Sequence, residues 1–153
     1  MKKLILLTIF LGLFSLSHAQ RFEVHKFGLD EGLTIELTKT ICQDNLGFIW
    51  VGTDAGLSRF DGHSFTPYTS TPGIAFAKHL IKRRNGNLLL ASDLGVFEIT
   101  PMMDTARIKT LLQGSQEMVP GKIWFPKNVY ESADSTIFIA EQGTIVRLKN
   151  GNF

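Results

Sequence analysis

Short apolar runs alternate with turn-forming residues along most of the chain. Three runs of five or six residues read FIWVGT (48–53), NLLLAS (87–92) and TIFIAE (136–141). A second run follows each of them after a turn, and these read GLSRF, GVFEI and TIVRL. Runs of this length are typical of strands and too short for helices. No helical period is sustained after the first nineteen residues, so the pattern predicts an all-β fold.

The turns carry the residues that hairpins favour. Asp54-Ala55-Gly56 and Asp93-Leu94-Gly95 supply Asp and Gly between paired runs. Asp61-Gly62 is a separate hairpin signal, because that pair tolerates the positive φ of a type I′ turn. It leads into HSFTPY, and LTKTICQD (37–44) precedes the first run. One unit therefore contains about four antiparallel strands.

The units repeat. NLGFIWVGTDAGLSRF (45–60) aligns with RNGNLLLASDLGVFEI (84–99) at an offset of 39 residues. STIFIAEQGTIVRLKNGNF (135–153) aligns with the first copy at an offset of 88, although its glycine has moved by one position. A four-stranded repeat of about forty residues is the signature of a propeller blade. We predict a partial β-propeller over residues 20–153, with blades at about 37–70, 74–113 and 122–153.

Small residues are predicted to let neighbouring blades approach closely. Gly52, Ala91 and Ala140 follow the inner apolar strand of each copy. Trp50 is expected to fill the space between blades rather than a ligand site. Three blades are fewer than the four to eight that close a ring. We therefore expect terminal faces with residues such as Trp50 or Phe138 to be exposed and to favour association with remaining blades or further copies.

The first nineteen residues have the layout of a secretory signal peptide. Lys2 and Lys3 precede an apolar stretch from Leu4 to Leu16, and Ser17-His18-Ala19 supplies small residues for cleavage before Gln20. We therefore predict a signal peptide over 1–19 and export to the periplasm. An uncleaved membrane anchor is the alternative, but the apolar stretch is short for a span of about 20 residues.

Charge argues against a nucleic-acid partner. Removal of the signal takes away two of the 16 basic residues and none of the 14 acidic ones, which leaves a formal charge near zero. Such a chain has no electrostatic footprint for nucleic acid. Cys42 is the only cysteine, so no internal disulfide forms, and we expect its side chain to be a small buried hydrophobe.

The sequence offers little catalytic chemistry. The histidines are scattered without ligand spacing, so we predict no metal site, no cofactor and no catalytic residue. Asp44, Asp54, Asp61 and Asp93 could be paired carboxylates, but turn positions favour a structural role for them. The basic run at 82–84 could contact an anionic sugar, although a solvated strand end is the favoured reading.

ICQDNLGFIWVGTDAGLSRFDGHSF (41–65) resembles the repeat of two-component regulator propellers. The matching positions are Gln43, Asp44, Gly47, Trp50, Gly52, Thr53, Gly56, Leu57, Phe60, Asp61 and Gly62. The second copy matches at Gly86, Asp93 and Gly95 and has Leu89 where the pattern has tryptophan. With Asp54, these residues are predicted to form a structural repeat motif.

The resemblance implies a non-catalytic sensor. Propellers of this family are usually the periplasmic input of a large membrane protein, often a histidine kinase or hybrid kinase. The parent protein would be anchored in the inner membrane, and the ligand would be a glycan or other small periplasmic molecule. The parts that usually follow, an Ig-like domain, a membrane span and a kinase, are not in this sequence, which predicts a fragment or a module completed by other copies. The alternative is an exported carbohydrate-binding or carbohydrate-active propeller module.

Overall fold

The computed structural model describes residues 22–149, and they form three sheets with one short 3-10 turn at Leu29–Glu31. The first sheet contains β1 to β4, in the order of the chain. The second contains β5 to β9 and the third β10 to β12, again in chain order. Within the described residues no helix is long and apolar enough to cross a membrane. The signal peptide predicted over 1–19 lies outside the described residues.

The strands are short, as the apolar runs predict. Those of the first sheet are Thr38–Gln43, Ile49–Thr53, Gly56–Phe60 and Phe65–Tyr68. Those of the second sheet are Ala77–Lys82, Leu88–Ser92, Gly95–Pro101, Ala106–Ser115 and Ile123–Trp124. Those of the third sheet are Asn128–Glu131, Ile137–Glu141 and Thr144–Leu148.

Pairing is antiparallel throughout the three meanders, with one exception. The two-residue strand β9 pairs in parallel with β8, through Gly114 opposite Ile123 and Ser115 opposite Trp124. The first sheet has the four strands expected of a unit, whereas β9 gives the second sheet a fifth strand. The third sheet has three strands within the described residues. The prediction of an all-β fold is confirmed.

The first two sheets have the same pairing ladder, including its irregularity. Ile49 lies opposite Phe60, and Leu88 lies opposite Ile99, 39 residues further on. A register shift interrupts β1 at Thr38/Thr40 and interrupts β5 at the corresponding Ala77/His79. The third sheet shows the same pairing at an offset of 88 where β11 meets β12.

The second sheet is buried on both faces. All five residues of β6 are buried, because alternate side chains enter two different cores. The core shared with the first sheet is built around Trp50, Leu57, Ile74, Leu80, Leu88, Leu90, Phe97 and Ile99. The core shared with the third sheet contains Leu89, Ala91, Val96, Leu112, Ile123, Val129, Ile137, Ile139 and Leu148.

We expected Trp50 or Phe138 to be exposed on a terminal face. This is wrong for Trp50 and only partly right for Phe138. Trp50 is completely buried against the second sheet. Side chains alternate along a strand, so the outer face of the first sheet carries Ile41, Ile49 and Val51 instead. Phe138 lies on the outer face of the third sheet and is half-buried.

Gly52 lies at a close contact between the first two sheets. A Cβ atom at this position would lie 2.5 Å from Cγ2 of Thr40 and 3.0 Å from Cβ of Ala77 in the second sheet. The backbone there is ordinary strand, so lack of space rather than conformation requires glycine.

Gly52→Ala should therefore lower the free energy of unfolding by about 1–3 kcal/mol through overpacking. Urea denaturation would measure it. Thr40→Ser removes the methyl group nearest the new Cβ and keeps the hydroxyl that accepts a hydrogen bond from the Leu80 N–H at 3.0 Å. The double variant should recover part of the loss. Strictly additive effects of the two substitutions would contradict a clash at this point.

Candidate functional site

Asp44 organises the hairpin between β1 and β2. Its Oδ1 accepts hydrogen bonds from the backbone N–H groups of Leu46 (2.9 Å) and Phe48 (3.0 Å). Its Oδ2 accepts the indole N–H of Trp50 at 2.8 Å. The buried carboxylate thus fixes both the turn and the largest core side chain, which gives it a structural role.

The other residues of the repeat motif build turns and packing. Thr53 Oγ1 donates to the Gly56 carbonyl at 3.3 Å and accepts the Ala55 N–H at 3.1 Å. Ser92 makes the same two contacts in the second sheet. Positive φ angles occur at Gly47, Gly56, Gly62 and Gly86. Leu57 is buried in the core, Phe60 packs against Phe65, and a Cβ on Gly95 would meet the Leu112 carbonyl at 2.8 Å.

Asp61 caps the next hairpin. Its Oδ1 accepts hydrogen bonds from the backbone N–H groups of His63 and Ser64, both at 2.8 Å. The N–H groups of Ser64 and then His63 lower the pKa of this exposed carboxyl below its ordinary value. Its role in the turn follows the sequence prediction.

The basic run at 82–84 is a solvated strand end at Lys82 and Arg84, which are exposed, but not at Arg83. Arg83 lies between the second and third sheets and pairs with Glu98 and with Glu131, whose oxygen is 2.8 Å from the guanidinium. Arg84 donates through its backbone N–H to Glu131 at 2.8 Å and through its side chain to the Ala133 carbonyl at 2.7 Å. Burial alone would raise the pKa of Glu131, but the Arg84 N–H and the Arg83 guanidinium outweigh it, so the pKa is lowered.

Lysines and acidic residues form a row along one edge of the three sheets. Lys39 pairs with Asp54 in the first sheet. Lys78 pairs with Asp93 at 3.1 Å in the second sheet, and Lys127 at the start of the third lies 3.7 Å from the same carboxylate. The three lysines occupy equivalent positions at offsets of 39 and 88. Asp54 and Asp93 thus pair with lysines instead of supporting the turn backbone.

Two aromatic residues with strained backbones stand beside this row. Phe76 has φ 57° and Phe125 has φ 46°, which bulky residues rarely adopt. Hydrogen bonds hold Phe76 in place: its N–H donates to the Asp54 carbonyl at 3.0 Å, and its carbonyl accepts the Asp93 N–H at 3.3 Å. The Phe76 ring remains 39% exposed. The Lys127 ammonium lies 4.7 Å from the centre of the Phe125 ring.

One carboxylate oxygen of Asp93 lacks a hydrogen-bond donor within the described residues. Its Oδ1 atom is buried, and among residues 22–149 no hydrogen-bond donor reaches it. A buried acceptor without a donor is costly unless a ligand or water supplies one. We call Asp93, Lys78, Lys127, Phe76 and Phe125 the lysine–aromatic edge. It combines apolar rings, two cations and one acceptor, which suits binding rather than bond cleavage.

Sequence reasoning missed most of this edge. Among its members only Asp93 was singled out from the sequence. The signal was present, however, because Phe76 and Phe125 are related by the same 49-residue spacing that separates Lys78 from Lys127. The positive φ of the two phenylalanines could not be read from residue types, since Phe does not favour that conformation.

The described part of the chain contains no group of three or more His, Cys, Asp or Glu side chains that could hold a metal ion. Cys42 is half-buried rather than fully buried. Burial raises the pKa of its thiol, with Lys82 opposing that shift. A raised pKa makes a thiol a poor nucleophile at neutral pH.

No family model matches the chain. Among curated proteins, histidine kinase P4 from Formosa agariphila is 35% identical over 68 residues, which are 44% of this chain and 5% of that protein. The chain therefore spans a small fraction of this relative.

Two solved structures resemble the fold. The extracellular domain of a hybrid two-component system from B. thetaiotaomicron matches 80% of this chain and 17% of its own, with a TM-score of 0.60 and 16% identity. A catalytically inactive virginiamycin B lyase from Staphylococcus aureus with quinupristin matches 73% of this chain and 41% of its own, with a TM-score of 0.51 and 15% identity. Both neighbours are propeller-like. The predicted fold class, a partial β-propeller, is confirmed.

Proposed function

We propose that this chain is a non-catalytic sensor segment of a two-component signal transduction regulator. The similarity of 68 residues to a histidine kinase carries this proposal, because its 35% identity is well above the 16% and 15% of the two structural neighbours. The propeller-like fold agrees with it, since an extracellular domain of a hybrid two-component system has the same architecture. Fold alone does not determine activity, so the sensor role rests mainly on the sequence match.

Export supports the same role. The sequence before residue 20 has the order of a secretory signal, and a periplasmic location would place the propeller where extracellular solutes arrive. Protein recovered from the periplasm should begin at Gln20 when its N-terminus is sequenced. Retention of Met1 in a membrane fraction would contradict this location.

The lysine–aromatic edge is the proposed ligand site. Aromatic rings pack against the apolar faces of sugar rings, and the ammonium groups of Lys78 and Lys127 can donate hydrogen bonds to sugar hydroxyl or carboxylate oxygens. Lys78 and Lys127 share a single carboxylate, so this part of the edge carries excess positive charge. A glycan with uronate groups fits this combination better than a neutral one.

Phe76→Gly separates binding from folding at this site. Glycine adopts positive φ without strain, which offsets the apolar burial lost with the ring, so the variant should unfold at a temperature close to that of the unsubstituted protein. Loss of the ring should weaken binding of an oligogalacturonate probe about tenfold, as removal of one aromatic contact does. Titration calorimetry would measure the affinity, with maltohexaose as the neutral comparison.

Phe22→Gly is the matched control, because Phe22 is exposed and lies far along the chain from the edge. It should leave affinity unchanged. Equal binding by Phe76→Gly and the unsubstituted protein would reject the site. Absence of binding by every oligosaccharide would reject a glycan ligand.

A carbohydrate-active module is the second candidate, because the edge contains one carboxylate, that of Asp93. An enzyme would release reducing ends from the oligogalacturonate during incubation. A sensor segment would leave the oligogalacturonate uncleaved. Release that disappears in Asp93→Asn would replace the sensor proposal with a catalytic one.

A further inference from the structure

Equivalent positions in the three sheets differ in burial according to their neighbours. Leu80 and Val129 occupy the same position on the faces that the second and third sheets turn towards the preceding sheet, and both are buried. Ile41 occupies this position in the first sheet, which no other sheet precedes within residues 22–149, and it is 69% exposed. In the second and third sheets a neighbouring sheet therefore covers the apolar residue at this position, whereas Ile41 in the first sheet is uncovered.

The segment before each sheet repeats this difference. Ile74 and Ile123 are related by the 49-residue spacing, and both are buried between consecutive sheets. Ile35 lies 39 residues before Ile74 and is exposed. Ile41 in the first sheet and Ile35 in the segment before it thus both lack the cover that their counterparts have.

The outer face of the third sheet also carries an apolar residue that is left exposed. Ile145 pairs with Ala140, as Leu57 pairs with Gly52 and Val96 pairs with Ala91. Leu57 and Val96 are completely buried by the following sheet, whereas Ile145 is 70% exposed. Its neighbours on this face include Phe138 and the exposed Tyr130.

The two faces also differ in shape. A groove of about 510 Å³ runs along the outer face of the first sheet. Its apolar lining residues are Phe27, Leu33, Ile41, Ile49, Val51, Phe60 and Phe65. The face of the third sheet instead offers projecting side chains at Tyr130 and Ile145 around a shallow depression of about 180 Å³.

An arginine occupies the same position in the first and third sheets. Arg59 extends from the first sheet and donates to the carbonyls of Met102 (2.9 Å) and Thr105 (3.2 Å) in the hairpin between β7 and β8. Arg147 occupies the equivalent place in the third sheet and is exposed. The hairpin it would meet on a further first sheet lies between β3 and β4 and carries the exposed carboxylate of Asp61.

We propose that the outer face of the third sheet in one copy binds the outer face of the first sheet in a second copy, at both ends, to close a ring of six sheets. Each new interface would continue the packing that already joins consecutive sheets. Rings close with about four to eight blades. The described residues of one copy supply three sheets, which is too few, and those of three copies supply nine, which exceeds this range. Those of two copies supply six, which falls within it.

Sedimentation of protein expressed from the full 153-residue sequence tests the ring. We expect a single species of twice the mass of one chain across a hundredfold range of concentration. Ile41→Lys and Ile145→Lys should each convert it to monomer, with dissociation constants raised about a hundredfold or more because a charge is buried at each interface. Met118→Lys, at an exposed apolar residue outside both faces, should remain dimeric.

Mixing the two monomeric variants is the sharper measurement. A mixed pair can form one interface from its two unsubstituted faces, so dimers should reappear when Ile41→Lys and Ile145→Lys are combined. Far-UV circular dichroism confirms that each variant is folded, as expected for substitutions at exposed positions. Three results would overturn the ring: a monomer at every concentration, particles that grow beyond two copies, or dimerisation that survives either substitution alone.

Discussion

Trp50→Ala should lower the free energy of unfolding by about 3–5 kcal/mol, the usual cost of truncating a large buried aromatic side chain. Trp50 is completely buried between the first and second sheets, and its ring lies 5.1 Å from that of Tyr68. The substitution would also leave the buried Asp44 Oδ2 without its indole donor at 2.8 Å, which adds to the loss. Urea denaturation followed by circular dichroism would measure it.

Phe138→Ala is the matched control, because Phe138 occupies the position of Trp50 in the third sheet but is half-buried. Its cost for a single chain should be about 1 kcal/mol or less, since partial burial removes little apolar surface from water. Measurement in the Ile41→Lys background keeps association between copies from contributing. Similar losses at both positions would contradict the burial difference between the two faces.

Arg83→Met should cost about 2–4 kcal/mol, because it removes the shared cation of two carboxylates. The Glu131 side chain is 5% exposed, and a buried charge without its partner is strongly destabilising. Methionine keeps much of the apolar part of the arginine side chain, so the decrease in the free energy of unfolding comes mainly from removal of the charge. Arg84→Met is the control: its side chain makes an exposed hydrogen bond to a carbonyl, and the loss should stay below about 1 kcal/mol.

The effect of Arg83→Met should depend on pH in a definite direction. The pKa of Glu131 lies below its ordinary value of 4.5 in the folded protein. Its contribution is therefore fully present above pH 4.5 and is lost as the pH falls through the folded pKa. The difference in stability between Arg83→Met and the unsubstituted protein should shrink on acidification. A difference that is constant from pH 7 downward would show that the ion pair is not its source.

The fold could be predicted from the sequence because its signals are local. Alternating apolar runs and Asp-Gly turns define each hairpin, and their repetition at 39 and 88 residues fixes the type of architecture. Gly52 was predicted as a point of close approach, and the structure gives the contact distance that explains it. Most of the predicted motif residues whose contacts are described lie in turns, cores and hairpins, whereas the side chains of Asp54 and Asp93 pair with lysines.

The inter-sheet contacts could not be predicted in the same way. Arg83 reads as a polar residue at the end of a strand, yet its partners Glu98 and Glu131 come from two other strands. Such partners are distant in sequence and have no fixed spacing to reveal them. The pairing of β9 could not be predicted for the same reason. Ile123–Trp124 lies in the range predicted for the third blade, but it pairs with β8 of the second sheet.

The position of β9 has a consequence for how the protein opens. The chain leaves the second sheet, returns to it at Ile123–Trp124 and only then starts the third sheet. Ile123 also contributes to the core between these two sheets. The Trp124 carbonyl also accepts the Gln142 N–H at 3.1 Å, so β9 contacts both sheets. Separation of the third sheet would break the contacts of β9 with one of them, so the two sheets should open as one cooperative unit. Amide hydrogen exchange would then show protection shared by β6 and β11, and a nick beside the exposed Met118 would leave the two fragments held together.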